Sequence, residues 1–257
     1  MTRLVFLAAA ALALGAGDTR AQLPSPPARV VVIVFENKSA AQIDAVSAPT
    51  FTSLGRRYAG LTNYVATTHP SLPNYLALVS GSTHGITSDC TSCRVVGATI
   101  GDQLTRAGRS WDAFAEGYPS GYGFAKKHVP FLYFRNGSSH VLPLSRFDTQ
   151  ALPDFAFVVP NLCHDMHDCS VATGDAWLKR FVRPLLALPQ TVVFVVFDEG
   201  TDDNHVAALA LGTLVRPGAT FTARTGHYGL LRTIEDAWGL PRLGASKDTS
   251  PITGIWR

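Results

Sequence analysis

Residues 29–35 read Arg-Val-Val-Val-Ile-Val-Phe, a mainly β-branched run that leads directly into Glu36 and Asn37. A run of this length without polar alternation is typical of a strand that is buried on both faces. Comparable runs lie at 111–115, 155–159, 191–197 and 206–211, and segments with helical periodicity lie at 49–58, 74–79, 100–107, 175–188 and 228–238. The alternation predicts an α/β protein, a three-layer α/β/α sandwich with a mostly parallel central sheet.

The first 21 residues have the pattern of a secretory signal peptide, with Arg3, an apolar stretch at 4–15 and small residues before a cut after Ala21. The alternative is a membrane anchor, but the stretch is shorter than the roughly 20 residues that a bilayer requires. We predict a signal peptide at 1–21 and a single domain at 22–257. The protein is expected to be secreted or periplasmic, with no transmembrane segment after signal removal.

The composition is that of a compact globular protein, with 46% hydrophobic and 16% charged residues. The formal net charge is +3, and the sequence contains no run of Lys or Arg. Nucleic-acid binding is therefore not expected.

The four cysteines form two close pairs, Cys90 with Cys93 and Cys163 with Cys169. In an exported protein such pairs indicate disulfides, and proximity in the chain favours these two pairings. The alternative is a zinc site of four thiolates, for which Cys90 and Cys93 have a suitable spacing. The spacing of Cys163 and Cys169 does not suit it, so we expect two disulfides.

Polar pairs follow two of the predicted strands at the point where each strand ends. Glu36 and Asn37 come after 29–35, and Asp198 and Glu199 come after 191–197. Because ligands in open α/β sheets bind outside the carboxyl ends of the strands, these pairs are expected to converge. Their oxygen atoms suit a hard divalent cation, although either pair alone is equally explained as a turn or helix cap.

The segment 69–75, His-Pro-Ser-Leu-Pro-Asn-Tyr, supplies a candidate nucleophile. Pro73 fits the first position of a helix, which places Ser71 just before it, where free N–H groups attract anions. A hydroxyl beside a cation loses its proton more easily and can attack phosphorus. Asn74 is placed to donate to a phosphoryl oxygen. The alternative is a serine that only caps the helix.

Five segments in order make the chain resemble the bacterial and fungal phosphoesterase family that includes acid phosphatases and non-haemolytic-type phospholipases C. They are Phe35-Glu36-Asn37-Lys38-Ser39, the segment 69–75, the segment 160–168 (Pro-Asn-Leu-Cys-His-Asp-Met-His-Asp), Phe197-Asp198-Glu199-Gly200, and Gly226-His227-Tyr228 before 230–236. That family is related to the alkaline phosphatase superfamily, so the resemblance implies an alkaline phosphatase-like fold.

The resemblance also implies roles at the matching positions. Ser71 matches the nucleophile, which also contacts the metal, and Asn74 matches the amide that holds the phosphoryl group. The metal ligands are implied at Glu36, Asn37, Asp198 and Glu199. Asn and Glu stand where two-zinc relatives have Asp and His, which favours Ca²⁺, Mg²⁺, Mn²⁺ or iron over Zn²⁺.

The resemblance leaves the roles of several further residues open. His167 and His227 are either ligands of a second metal or cations that face the phosphate. His69, next to the nucleophile, and His128, in a recurring family segment, are expected to bind substrate, and so is Asp168.

The predicted function is a metal-dependent acid phosphatase that hydrolyses a small phosphorylated substrate through a covalent phosphoserine. One alternative is a phosphodiesterase of the phospholipase C kind, although the sequence has no counterpart of the large C-terminal extension of those enzymes. Another is a non-catalytic protein that binds phosphorylated ligands, although every matching segment keeps reactive residue types. A sulfatase is disfavoured, because Ser71 lacks the sequence context for formylglycine.

Overall fold

The computed structural model describes residues 27–201 and 203–257. The predicted signal peptide at 1–21 lies outside the described residues, and the boundary at 22–257 stays a prediction with it. Within the described part of the chain, no helix is both long and apolar enough to cross a membrane.

The described residues form ten strands: β1 (Arg29–Phe35), β2 (Ala59–Leu61), β3 (Tyr64–Val65), β4 (Trp111–Ala115), β5 (Val141–Pro143), β6 (Phe155–Val159), β7 (Thr191–Phe197), β8 (His205–Val206), β9 (Ala208–Gly212) and β10 (Ala219–Phe221). Eight of them form a sheet in the middle of the protein, in the order β10-β2-β9-β7-β1-β6-β4-β5. Strand β9 is antiparallel to both of its neighbours, and the other neighbouring pairs are parallel. The predicted mostly parallel sheet is confirmed; β3 and β8 form a separate antiparallel ribbon.

The centre of the sheet is formed by the apolar runs that the sequence shows. Strand β1 lies between β6 and β7, and every residue of β7 is buried. Because layers cover both faces, Val, Ile and Phe occupy successive positions rather than alternate ones. Four of the predicted strands have the expected bounds. The run at 206–211 is instead divided between β8 and β9, because Val206 pairs with Tyr64 in the ribbon.

Five α-helices cover the sheet in the described part of the chain. They are α1 (Pro49–Arg57), α2 (Ser71–Ser80), α3 (Ile100–Arg106), α4 (Val171–Leu185) and α5 (His227–Ala237). Helix α1 packs with α4, and α2 packs with α3 and α5, which gives the predicted layers on the two faces. Helix α4 begins four residues earlier than its periodicity indicated, because the Ser170 side chain caps it by accepting from the Thr173 N–H at 3.2 Å.

Short 3₁₀ helices complete the connections. They span Ala40–Gln42, Lys126–His128, Pro130–Tyr133, Ser138–His140, Leu144–Arg146 and Gly244–Asp248. Sequence periodicity does not reveal segments of this length, because they complete barely one turn.

Asp175 of α4 fixes the start of α1. Its carboxylate accepts from the N–H groups of Thr50 at 3.0 Å and Phe51 at 2.8 Å. The N-cap of α1 is Ala48, whose side chain cannot accept a hydrogen bond, so the neighbouring helix satisfies these amides instead. The contact joins the two helices of this layer.

Candidate active site

Glu36, Asn37 and Asp198 meet at the ends of β1 and β7. Phe35 pairs with Phe197 in register, and the Asp198 N–H donates to the Phe35 carbonyl at 2.9 Å. The Asn37 N–H donates to Asp198 Oδ1 at 3.1 Å, and Asn37 has a φ of 52°. Asparagine tolerates this left-handed conformation better than most residues, so it suits the sharp turn after β1.

The Ser71 side chain lies between two carboxylates. Its Oγ lies 3.2 Å from Glu36 Oε2 and 3.3 Å from Glu199 Oε1, and the residue is 1% exposed. The hydroxyl has one proton, which it donates to one of these oxygens at a time. The structure thus brings the predicted nucleophile together with acidic residues from both strand ends.

Helix α2 begins at Ser71, so the expectation that Pro73 opens the helix is wrong. Pro70 is the N-cap and Pro73 lies within the first turn, where its missing N–H would also have no helical partner. The Leu72 N–H donates to Asp89 Oδ1 at 2.9 Å, and Asp89 Oδ2 pairs with Lys127 Nζ at 2.8 Å. A carboxylate of the chain itself therefore occupies part of the helix N-terminus that was expected to attract phosphate.

Asn74 holds the loop that precedes Ser71. Its Oδ1 accepts from the N–H groups of Thr67 and Thr68, both at 3.0 Å, and its Nδ2 donates to the carbonyls of Thr68 and Pro70 at 2.8 and 3.1 Å. The side chain is buried and its amide is fully used. These bonds hold the loop before Ser71, and the predicted contact of Asn74 with a phosphoryl oxygen stays a prediction.

Buried acidic residues crowd the site. Burial, followed by the charges of Asp198 and Asp165, raises the pKa of Glu36 well above its ordinary value. Burial and Glu199 likewise raise the pKa of Asp198, and burial raises the pKa of Asp165 to about 7. Like charges held together away from water disfavour the ionised form, so the cluster favours a compensating cation.

The donor set fits a divalent cation. Asp198 Oδ2 and Asp165 Oδ2 are buried and have no hydrogen-bond partner in the described part of the chain. Buried carboxylate oxygens without partners are costly, and a metal ion would satisfy them. The half-buried side-chain amide of Asn37 likewise forms no hydrogen bond with the described residues, which leaves it available as a ligand.

His128 lies inside this cluster. Its Nε2 lies 3.2 Å from Glu36 Oε1, its Nδ1 lies 3.4 Å from Asp165 Oδ2, and its ring stacks on Tyr75. One ligand atom from each of Glu36, His128 and Asp165 lies within 4.8 Å of the others, a candidate metal-binding triad. Burial lowers the pKa of His128 well below its ordinary value, so the ring is neutral. The residue is 1% exposed, and its predicted contact with substrate stays a prediction.

His227 is buried beside the site. Its Nδ1 lies 3.0 Å from the Tyr64 hydroxyl, and its Nε2 lies 2.7 Å from the Asp198 carbonyl. Burial lowers its pKa to about 4, so the ring is neutral near neutral pH. Both ring nitrogens contact other groups of the chain, and the roles predicted for His227, metal ligand or phosphate-facing cation, stay predictions.

Three further predicted residues lie around the cluster. His69 Nδ1 is 2.6 Å from Glu199 Oε2, and its side chain is 49% exposed, so it lies beside the nucleophile and open to solvent. His167 Nδ1 is 2.7 Å from Asp168 Oδ1, and its ring centroid is 5.9 Å from that of His128. Their predicted roles in catalysis and substrate binding stay predictions.

Sequence reasoning missed four residues that shape the site. Asp165 joins the acidic cluster because its carbonyl accepts from the Glu36 N–H at 2.8 Å, which fixes the loop after β6 against the end of β1. Tyr75 donates to Glu36 Oε1 at 2.5 Å. Lys38 Nζ donates to the carbonyls of Asn37 and Met166, near the cluster, and Asp89 binds the start of α2. Asp165, Tyr75 and Lys38 lie within the segments that carry the family resemblance, which was the available signal.

Both predicted disulfides are confirmed, Cys90–Cys93 and Cys163–Cys169. The described residues contain no free cysteine. The second disulfide encloses the loop that carries Asp165, His167 and Asp168 to the site.

Replacing Cys163 and Cys169 by serine is expected to lower turnover far more than melting temperature. A loop this short contributes only about 2 kcal/mol through the unfolded state, whereas a displacement of about 1 Å at a site can cost on the order of 100-fold in rate. The matched control is the double serine variant of Cys90 and Cys93. Steady-state kinetics and calorimetry on both variants measure the difference; full activity in the first would show that the loop does not position the site.

The chain is similar to known proteins over most of its length. Residues 42–241 match the model of the Phosphoesterase family. The chain is 39% identical over 250 residues to the phosphatidylinositol-3-phosphatase of Mycobacterium tuberculosis, covering 89% of this chain and 83% of that protein. It is 31% identical over 219 residues to a probable acid phosphatase of Kluyveromyces lactis, covering 72% of this chain. The matched region covers 52% of the length of that fungal protein, so the chain spans about half of it.

A solved structure shares the fold. It is a protein of the alkaline phosphatase superfamily from Vibrio parahaemolyticus, with a TM-score of 0.64 at 13% identity, covering 87% of this chain and 69% of that one. The predicted alkaline phosphatase-like fold is thereby confirmed. With the family match over most of the chain, this protein belongs to the Phosphoesterase family and is a phosphoric ester hydrolase.

Proposed function

We propose that this chain is an exported, metal-dependent acid phosphatase that hydrolyses phosphomonoesters through a covalent phosphoserine on Ser71. The observation that carries the proposal is the Ser71 hydroxyl, buried between Glu36 and Glu199 at 3.2 and 3.3 Å. A serine that only capped α2 would bond to the amides of its first turn. Ser71 instead faces carboxylates that can accept its proton.

The metal would be held by Glu36, Asn37, Ser71, Asp198 and Glu199, with Asp165 and His128 beside them. Their donor atoms are mainly oxygen, which favours Ca²⁺, Mg²⁺, Mn²⁺ or iron over Zn²⁺, whereas the nitrogen of His128 would suit iron or Zn²⁺ better than Ca²⁺ or Mg²⁺. When bound, the cation would stabilise the serine alkoxide and offset the charge of the phosphoryl oxygens.

The residues of the chain would carry out the proton transfers. The Ser71 proton passes to Glu199 or Glu36, the Ser71 oxygen forms a bond to phosphorus, and the bond from phosphorus to the ester oxygen breaks. Protonated His69 gives its proton to that oxygen, which leaves as an alcohol. A water molecule then attacks phosphorus and gives one proton to the neutral His69. The bond from phosphorus to the Ser71 oxygen breaks, and that oxygen takes back the proton held by Glu199 or Glu36. The products are phosphate and free Ser71.

Relatives and disulfides support the substrate class and the location. The matched relatives are named as a phosphatidylinositol-3-phosphatase and as acid phosphatases. A phosphoinositide is therefore a reasonable test substrate. The two disulfides indicate an oxidising compartment, which supports secretion or a periplasmic location.

The test is to strip the purified protein of metal, restore single cations, and assay p-nitrophenyl phosphate, bis(p-nitrophenyl) phosphate and phosphatidylinositol 3-phosphate in micelles. We expect hydrolysis of monoesters to return with Ca²⁺, Mg²⁺, Mn²⁺ or Fe²⁺ and to exceed that of the diester. Faster diester hydrolysis would instead indicate an enzyme of the phospholipase C kind. No hydrolysis with any cation would favour a non-catalytic phospholigand-binding protein.

A further inference from the structure

Lys127 lies beside the start of the helix that carries Ser71. It belongs to the 3₁₀ helix Lys126–His128, which packs against α2. Its Nζ pairs with Asp89 Oδ2 at 2.8 Å, and Asp89 Oδ1 accepts from the N–H of Leu72, the residue after Ser71, at 2.9 Å. Two consecutive hydrogen bonds therefore connect the lysine to the residue that follows the candidate nucleophile.

The Lys127 ammonium group is held in place and still reaches solvent. Its side chain is 24% exposed, and that of Asp89 is 27% exposed. Among the residues described, the hydrogen-bond partner of Lys127 Nζ is Asp89 Oδ2. An ammonium group has three N–H donors, so two of them remain for a ligand. A bound anion could therefore contact Nζ without displacing Asp89.

This ion pair lies close enough to the acidic cluster to act on it. Burial would lower the pKa of Lys127, but Asp89 and the charge of Glu36 raise it above its ordinary value. The lysine in turn opposes the rise that burial causes in the pKa of Glu36. Burial also raises the pKa of Glu199, and the charge of Asp89 adds to that rise. The pair is therefore within electrostatic range of both carboxylates that flank the candidate nucleophile.

A phosphorylated site would need positive charge in addition to the divalent cation. A phosphoryl group on Ser71 would add roughly 1.5 to 2 negative charges near neutral pH. The cluster that receives them already contains the buried carboxyl groups of Glu36, Asp165, Asp198 and Glu199. A second lysine near the cluster, Lys38, donates to the carbonyls of Asn37 and Met166. Most of its donors are thus used within the chain, whereas those of Lys127 are not.

We propose that Lys127 binds the substrate by donating from Nζ to a phosphoryl oxygen, and that Asp89 positions this ammonium group. The inference rests on the proposed function, because it assigns a further residue to that reaction. A phosphomonoester has one more non-bridging oxygen and one more negative charge than a diester. A cation at this position therefore favours monoesters.

Binding is tested without turnover by titrating inorganic phosphate into the metal-loaded protein in a calorimeter. We expect a Kd about tenfold weaker in Lys127→Met, and a Kd within about threefold of the parent in Lys127→Arg, which keeps the charge. The matched control is Lys126→Met, which removes the neighbouring lysine of the same short helix. Because Lys126 Nζ donates to the Thr91 carbonyl, this variant should have the parental Kd. An unchanged Kd in Lys127→Met overturns the inference.

Metal binding distinguishes a contact with phosphate from a general loss of structure. Lys127→Met removes a positive charge near the cation site, so the metal-stripped variant should bind Mn²⁺ as tightly as the parent or more tightly. A disturbed start of α2 would instead weaken the binding of both Mn²⁺ and phosphate. That second result would show that Lys127 only supports the structure, and it overturns the inference.

Kinetics then separates this inference from the proposed function. In Lys127→Met we expect kcat/KM to fall about tenfold more for p-nitrophenyl phosphate than for bis(p-nitrophenyl) phosphate. Equal losses for the two substrates would contradict a contact that favours monoesters. If the parent hydrolyses neither ester with any cation, the proposed phosphatase activity is wrong, whereas the phosphate titration still decides whether Lys127 contacts the anion.

Discussion

Ser71→Ala is expected to lower kcat/KM for a phosphomonoester by roughly 10⁴-fold or more, because no neighbouring hydroxyl occupies its position between Glu36 and Glu199. The measurement is steady-state kinetics on the metal-loaded enzyme. A brief reaction quenched in acid and analysed by mass spectrometry should find phosphate on the peptide that contains Ser71 in the parent, and none in the variant.

The control is Ser80→Ala at the other end of α2. Ser80 is also buried, but its hydroxyl donates to the Leu76 carbonyl, and the residue lies about two and a half turns away from Ser71. This variant should lose some stability and keep its kcat. If Ser71→Ala retains more than about a tenth of the parental activity, the nucleophile is another group, and Thr67 and Thr68 in the same loop are the first to examine.

Asp198→Asn and Glu36→Gln are each expected to weaken the binding of the divalent cation by about 100-fold or more. Each replacement removes one formal negative charge from the buried cluster. The remaining carboxylates would then offset the positive charge of the cation less well. Isothermal titration of the stripped protein measures the Kd, and elemental analysis measures the metal content after purification. The parent should retain metal through dialysis, and the variants should need added metal.

Glu235→Gln is the matched control for these variants. Glu235 is also fully buried and its pKa is raised to about 7 by burial, but it bonds to Leu243 and Ser246 rather than to the site. Its replacement tests whether loss of any buried carboxylate reduces metal binding through instability. Unchanged metal content in both Asp198→Asn and Glu36→Gln would show that these residues are not ligands.

Much of the fold could be predicted because burial on both faces leaves a simple pattern. The runs at 29–35 and 191–197 have no room for polar residues, so their bounds agree with the observed strands. Strands β2 and β10 have three residues each, which is too few to show a pattern in the sequence. Strand β2 forms because it pairs with β9, and β10 forms because it pairs with β2. The first residue of a helix depends on its N-cap, as Ser170 shows for α4. The periodicity of the apolar positions gives no information on such caps.

The residues of the candidate site that could be predicted are those that come directly after a strand in the sequence. Glu36 and Asp198 converge because Phe35 and Phe197 pair in register. The hydrogen bonds that Asn74 and His227 form within the chain could not be predicted in the same way, because a polar side chain can bind the backbone of its own protein as well as a ligand. Asp165 was missed because a loop brings it to β1 through a backbone hydrogen bond, which leaves no trace in residue spacing.

The borders of the central sheet have a consequence for behaviour in concentrated solution. The outermost strands, β10 and β5, have only three residues each, and β5 ends in Pro143, which has no N–H to donate. A long open edge is a template on which a second chain can extend a sheet, and short or proline-containing borders remove most of it. The apolar strands most prone to aggregate are the central ones, and their backbone groups are already paired within the molecule. Amyloid-type association would therefore have to begin from unfolded chains rather than from the native enzyme.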